Sequence, residues 1–353
     1  MSFKKFIGLG MTALRSNFSQ LKQPYKLTFA ISYLCNSRCK TCNIWQLKPK
    51  GELSIDEIRE FARKNRSFRW IEITGGEPFL RSDIVEIVRA FYENSKGLYI
   101  VTIPTNSLTN HDMVISKIEQ MLDLGLPRLS ITVSLDGYRE LHDEIRGVKG
   151  NYDKAIEMFR RLKALKEKRK NLFVVFGYTM SSMNQGMLEK TYEEVKKDIP
   201  EVTYNDFHIN AAQLSEIYYN NTDASILPNA AAMADEVEAY IKKRRFEFGS
   251  IPAIEGTFLR LLVKYLRTGK SPTRSRSLDA SLFLDSYGNV YPSIMWSRKI
   301  GNIRDFGYSL EGMWHNDEAN MVRKIIKEGK EPQSWTACEA YQAIVGDIKT
   351  MIK

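Results

Sequence analysis

The stretch SYLCNSRCKTCNIW, residues 32–45, puts Cys35, Cys39 and Cys42 on one short loop, and the chain's remaining cysteine is Cys338. Three thiolates spaced this way can each hold one iron of a four-iron cluster and leave the fourth iron open for a substrate or cofactor. A structural zinc asks for four ligands, usually as two separated pairs. Zinc completed by a distant fourth ligand is the alternative reading of the loop.

The loop directly follows the apolar run LTFAIS (27–32), the first of six such runs. The others are WIEIT (70–74), LYIVTI (98–103), LSITVS (129–134), FVVFGYT (173–179) and DFHIN (206–210). They are mostly continuous and rich in β-branched and aromatic residues, as strands buried on both faces should be. Amphipathic helices separate them. SIDEIREFARK opens with Ser54 and Glu57 at capping-box spacing and carries Ile55, Ile58, Phe61 and Ala62 on one face. Strand–helix alternation on this scale means parallel βα units. Six of them predict an α/β fold, a partial (β/α)6 barrel of TIM type. Residues 228–246 and 252–267 then read as helices, SLFLDSYGNVYPS (281–293) as a β-hairpin, and 309–353 as helical. The expected domains are an amphipathic segment at 1–24, the barrel at 25–225, a helical connector at 226–270 and a small α+β appendage at 271–353.

Composition narrows the class. The chain has 353 residues, 43% of them hydrophobic, with a formal net charge of +10. No run approaches the roughly 18 apolar residues of a membrane span, and the first residues lack a secretion signal. The expected compartment is the reducing cytoplasm, where clustered cysteines mean metal or catalysis rather than a disulfide framework. The positive charge fits solvated Lys-rich helices, or an anionic partner such as nucleic acid, acidic peptide or lipid.

A second motif, EITGGEPFLR (72–81), ends the second strand. Gly75 and Gly76 let the backbone approach a ligand closely. Glu77 adds a charged acceptor for an ammonium group, and Pro78 stiffens the exit. Together with the cysteine loop, this motif resembles the radical S-adenosylmethionine (radical SAM) enzymes, over roughly residues 25–215. The resemblance implies that Cys35, Cys39 and Cys42 bind a [4Fe–4S] cluster whose open iron chelates the amino and carboxylate groups of SAM. It implies that Gly75, Gly76 and Glu77 hold the SAM amine. One electron passed to SAM then releases a 5′-deoxyadenosyl radical that takes a hydrogen atom from an unactivated C–H bond. An external one-electron donor such as a flavodoxin or ferredoxin is implied as a partner.

Less specific family matches are Asn106 in PTNS, placed near SAM, Ser134 in SLDG, near its ribose or carboxylate, and Arg146 in HDEIRG, pairing with its carboxylate. A guanidinium fork suits a carboxylate. Thr179, ending the fifth strand, is placed against the adenine. The sequence departs from many relatives in having Thr41, not an aromatic, before the third cysteine; Trp45 either takes over that role or packs in the core.

The C-terminal stretch resembles SPASM or twitch appendages, which bind auxiliary iron–sulfur clusters. Here the hairpin ends in Ser293 where a cysteine is usual, and Cys338 stands alone. One cysteine cannot hold a cluster, so the scaffold is expected without auxiliary clusters. Redox-neutral outcomes follow: epimerisation, rearrangement or C–C bond formation. Cys338 is then either a hydrogen-atom donor to a substrate radical or a packed core thiol. The alternatives are a radical SAM adenosyl- or methyl-transferase, and a non-enzymatic iron–sulfur or zinc regulator.

At the amino terminus, Phe3, Ile7, Met11, Leu14 and Phe18 form one helical stripe flanked by Lys4, Lys5, Arg15 and Lys22. The segment either packs on the barrel or lies peripherally on an anionic membrane. SPASM-like appendages favour a peptide or protein substrate, and a membrane helix favours a lipid. Nucleic acid is not expected as a partner.

Overall fold

The computed structural model describes residues 2–347. Six parallel strands follow one another in space as in sequence: β1 (Lys26–Ser32), β2 (Trp70–Gly75), β3 (Ile100–Thr105), β4 (Arg128–Ser134), β5 (Leu172–Met180) and β6 (Phe207–Ala211). The sheet does not close on itself, so the expected partial barrel is present. Every residue of β1 is buried, which explains its unbroken apolar reading.

Helix α1 (Ser2–Arg15) precedes the sheet. The crossover helices are α2 (Ile55–Lys64), α3 (Ile84–Asn94), α4 (His111–Asp123), α5 (Arg139–Arg146), α6 (Asn151–Lys168) and α7 (Leu188–Asp198). The Ser54 capping box forms as read: the Glu57 N–H donates to Ser54 Oγ at 3.3 Å, and the Ser54 N–H donates to Glu57 Oε2 at 2.9 Å. Ile58, Phe61 and Ala62 are buried on the inner face of α2.

After β6 come the short helix α8 (Glu216–Tyr219), then α9 (Ala230–Lys243) and α10 (Ser250–Thr268). The predicted hairpin is β7 (Ser281–Leu284) with β8 (Asn289–Tyr291), followed by β9 (Gly301–Asn302). It is continuous with the barrel sheet: β7 pairs parallel to β1, from Lys26↔Ser281 to Phe29↔Leu284. The chain ends in α11 (Glu311–Trp314), α12 (Asp317–Lys327) and α13 (Ala337–Val345). The last residues of the predicted helical tail, 348–353, lie outside the described residues.

α13 packs on α10 and α1, beside the open side of the barrel. Its anchor on the sheet is Lys26, which is fully buried. The Lys26 ammonium lies 3.1 Å from Glu72 Oε2, donates to Gln342 Oε1 at 2.9 Å and to the Cys338 carbonyl, and sits 4.6 Å above the Trp70 ring. A buried ammonium needs this many partners to offset its lost hydration.

Candidate active site

The cysteine loop is built from three sides. From β2, Gly76 N–H donates to Ser32 O at 2.8 Å and Glu77 N–H to Leu34 O at 2.9 Å. A Cβ on Gly75 would fall 2.1 Å from Ser32 O, and one on Gly76 2.2 Å from Leu34 O. The two glycines therefore admit the backbone of the cysteine loop itself. Gly75 also has φ of +126°, outside the reach of most side chains. From α5, the carbonyls of Arg146 and Ile145 accept from Arg38 N–H at 3.0 Å and Lys40 N–H at 2.8 Å. From the far edge, Tyr219 O accepts from Asn43 N–H at 2.8 Å, and Tyr33 Oη donates to Ile217 O at 2.9 Å.

The candidate cluster- and SAM-binding residues and Cys338 line one cavity of about 870 Å³: Cys35, Cys39, Cys42, Gly75, Gly76, Glu77, Asn106, Ser134, Arg146, Thr179 and Cys338. Two of the thiols receive donors. Asn106 Nδ2 is 3.8 Å from Cys35 Sγ, and Arg146 Nη1 is 3.6 Å from Cys39 Sγ. Burial pushes the Cys35 thiol up to about 11 and Cys42 up to about 12. Positive iron would reverse that preference by binding the thiolates. Among the described residues no three Cys, His, Asp or Glu side chains converge on a single metal point. A cluster takes one thiolate per iron and requires no such point. The donor set, with N–H groups and a guanidinium aimed at sulfur, fits an iron–sulfur cluster.

Glu77 is buried, accepting the Asn106 N–H at 2.7 Å and the Phe79 N–H at 3.2 Å. Burial outweighs these bonds and pushes its carboxyl up to about 7. Arg146 lies in the cavity wall. Its guanidinium is mostly buried, with Nε 2.7 Å from Asp136 Oδ2. Asp136 also accepts the Thr179 N–H at 2.9 Å, and Asn184 Nδ2 bridges the carbonyls of Asp136 and Thr179 at 2.8 and 2.9 Å. Trp45 is 37% exposed at the cavity wall, donating to Cys39 O at 3.3 Å, so it is not a core residue.

Across the cavity, Cys338 Sγ donates to Glu72 Oε1 at 3.2 Å. Burial first, and the Glu72 carboxylate second, hold this thiol well above its ordinary range. It packs in the same apolar cluster as Cys35, Cys42 and Tyr219. Sequence reasoning missed a neighbouring constellation. His208 Nδ1 lies 3.0 Å from both Glu255 Oε1 and Tyr341 Oη, Tyr341 also donates to Glu255, and Arg244 Nη1 is 3.5 Å from Glu255. These groups come from β6, α10, α13 and the end of α9, and no local spacing links them. Asp136 was legible in SLDG, two residues beyond Ser134.

Residues 29–195 match the family model described as Radical SAM superfamily. That segment is a domain of the radical SAM superfamily. Its members are enzymes that use a [4Fe–4S] cluster and SAM. Among curated relatives, an AdoMet-dependent heme synthase of Methanosarcina barkeri is 30% identical over 192 residues, 53% of this chain and 51% of that one. A GTP 3′,8-cyclase of Cronobacter sakazakii is 31% identical over 145 residues, 38% of this chain and 43% of that one. The chain spans about half or less of the length of these two. Solved structures extend the likeness. anSMEcpe with bound AdoMet superposes with a TM-score of 0.60 at 14% identity, over 93% of this chain and 98% of that one. Streptococcus suis SuiB bound to S-adenosylmethionine gives 0.59 at 18%, over 89% and 71%. Both proteins are also solved with a peptide, Cp18Cys in one and the precursor peptide SuiA in the other. At these identities the likeness shows the fold.

Proposed function

We propose that this radical SAM protein abstracts a hydrogen atom from an unactivated C–H bond of a substrate held in the barrel cavity, with a redox-neutral outcome. When bound, the cluster and SAM supply the carbon-centred radical that removes that atom. Cys35, Cys39 and Cys42 would hold the cluster. Glu77 would accept the SAM ammonium, Arg146 would face its carboxylate, and Asn106, Ser134 and Thr179 would line its nucleoside. The carrying observation is that these residues and Cys338 all wall a single cavity.

Cys338 is the proposed hydrogen-atom donor. Its raised pKa keeps the S–H bond intact at neutral pH. Transfer would move one proton and one electron from sulfur to the substrate carbon and leave a thiyl radical. An external flavodoxin- or ferredoxin-type donor would return the electron, and solvent the proton. Three of four cysteines sit in the loop, which leaves too few for an auxiliary cluster to export electrons. Two substrate classes fit a cavity of this size. The neighbours solved with peptides favour a peptide, and the amino-terminal stripe favours a lipid. The test is Cys338→Ala in deuterated solvent: the variant should still form 5′-deoxyadenosine but lose solvent deuterium from the product. A normal, deuterated product would make this thiol a packing residue.

A further inference from the structure

α1 packs under the barrel by one narrow face. Phe6 meets Tyr99 with ring centroids 5.5 Å apart, Lys5 lies 4.6 Å over Tyr92, and Leu9 and Ala13 join Leu21, Tyr25 and Ala280. That face is not the stripe read from the sequence. Phe3, Met11 and Phe18 are 71, 66 and 76% exposed, and Ile7 and Leu14 are exposed between them. A second apolar pair, Phe246 and Phe248, is 83 and 92% exposed on the loop between α9 and α10. Large exposed apolar side chains in groups mark an interaction surface.

Both patches border one end of the cavity. Phe6, Leu9 and Gly10 line it from α1, and Glu247, Ile251 and Pro252 line it from the other side. Gly10 and Glu247 are themselves exposed, so the cavity reaches solvent between the patches. Trp70, Tyr99, Ile100 and Phe173 line this end, at the amino-terminal ends of their strands. The charge at the rim is mainly positive. No Asp or Glu occurs before Glu52. Lys4, Arg15 and Lys22 are exposed and form no ion pair among the described residues. Lys242 and Arg245 precede Phe246 and are also exposed; the acidic groups lining this end are Glu201, Glu247 and Asp206, the last paired with Lys163 at 2.8 Å.

We infer that this end of the barrel docks on an anionic lipid bilayer, with the α1 stripe and Phe246–Phe248 in the interface, and that the substrate is a lipid whose chain enters through the mouth between them. The docking stands alone; the lipid substrate rests on the proposed radical chemistry. Cations around an apolar face match an anionic headgroup layer. A second copy of this chain would instead bring two cationic faces together. The strands put about 20 Å between this mouth and the cysteine loop, a depth a hydrocarbon chain can span. A peptide backbone entering the same way would have to satisfy its own N–H and C=O groups.

The test is co-sedimentation of the full chain with phosphatidylcholine vesicles, with and without about one-third phosphatidylglycerol. The protein should pellet with the anionic vesicles, less so at high salt. Phe3→Asp with Met11→Asp, and separately Phe246→Ser with Phe248→Ser, should each lower partitioning about tenfold and keep SAM cleavage. Wild-type protein left in the supernatant overturns the docking, as do variants that bind like wild type. A dimer that dissociates in these variants also overturns it and names a second copy as the occupant. For the substrate, a lipid extract from the source organism grown in heavy water should transfer deuterium to 5′-deoxyadenosine; transfer from the peptide fraction alone overturns the lipid. Failure of the radical chemistry reads differently, as no 5′-deoxyadenosine at all with vesicle binding intact.

Discussion

Gly75 and Glu77 share one motif but do different physical work. A Cβ at Gly75 has no room, because Ser32 O would lie 2.1 Å away. Gly75→Ala should cost about 2 kcal/mol or more and lower iron retention, both readable by thermal unfolding and iron analysis of reconstituted protein. An alanine variant of wild-type stability would show that the loop can move aside. Glu77 carries a pH prediction. Burial holds its carboxyl at about 7 in the SAM-free protein, so the group is neutral below that and ionised above it. An ammonium ligand requires the carboxylate. On the proposed role, SAM affinity should be flat above pH 7 and fall about tenfold per pH unit below it. Glu77→Gln should bind SAM weakly at every pH, and an unchanged slope in that variant would move the dependence to another group. For Arg146 the structure adds a role in stability. Its ion pair with buried Asp136 means that Arg146→Ala strands a carboxylate, at a cost of about 3–5 kcal/mol. A melting curve like that of wild type would contradict the pairing.

Helix α13 depends on a contact no sequence pattern announced. Lys26 opens β1 and reads as a charged residue at a strand edge, yet it is fully buried. It reaches Glu72, Gln342 and the Cys338 carbonyl, far apart in sequence. Lys26→Met should leave β1 paired but free α13. Hydrogen exchange should therefore speed up across residues 337–345 before it does in the sheet. Uniform acceleration across sheet and helix would mean that Lys26 supports the whole fold. The same contrast explains what could be read in advance. The six parallel strands, the Ser54 capping box and the hairpin at 281–293 are local patterns, set by apolar runs, caps and turn chemistry. The pairing of β7 with β1 joins residues about 250 positions apart. The cluster of His208, Glu255 and Tyr341 draws single residues from three elements. Neither leaves a periodic signal. The cysteine loop and GGEP were legible because ligand spacing and backbone approach are local demands. Asp136 was in view, but only the fold pairs it with Arg146.

At the scale of the whole molecule, the barrel holds the cysteine loop at one end of a cavity, and α13 brings Cys338 to its wall. Every role proposed for these residues requires SAM-dependent radical chemistry in this cavity. Anaerobically reconstituted protein should bind about four irons per chain. The most direct measurement is its reduction in the presence of SAM, with 5′-deoxyadenosine and methionine quantified. Wild type should give both products in equal amounts, and the variant with Cys35, Cys39 and Cys42 all replaced by Ala should give none. Four irons bound with no 5′-deoxyadenosine, or equal cleavage by the triple variant, would contradict that chemistry.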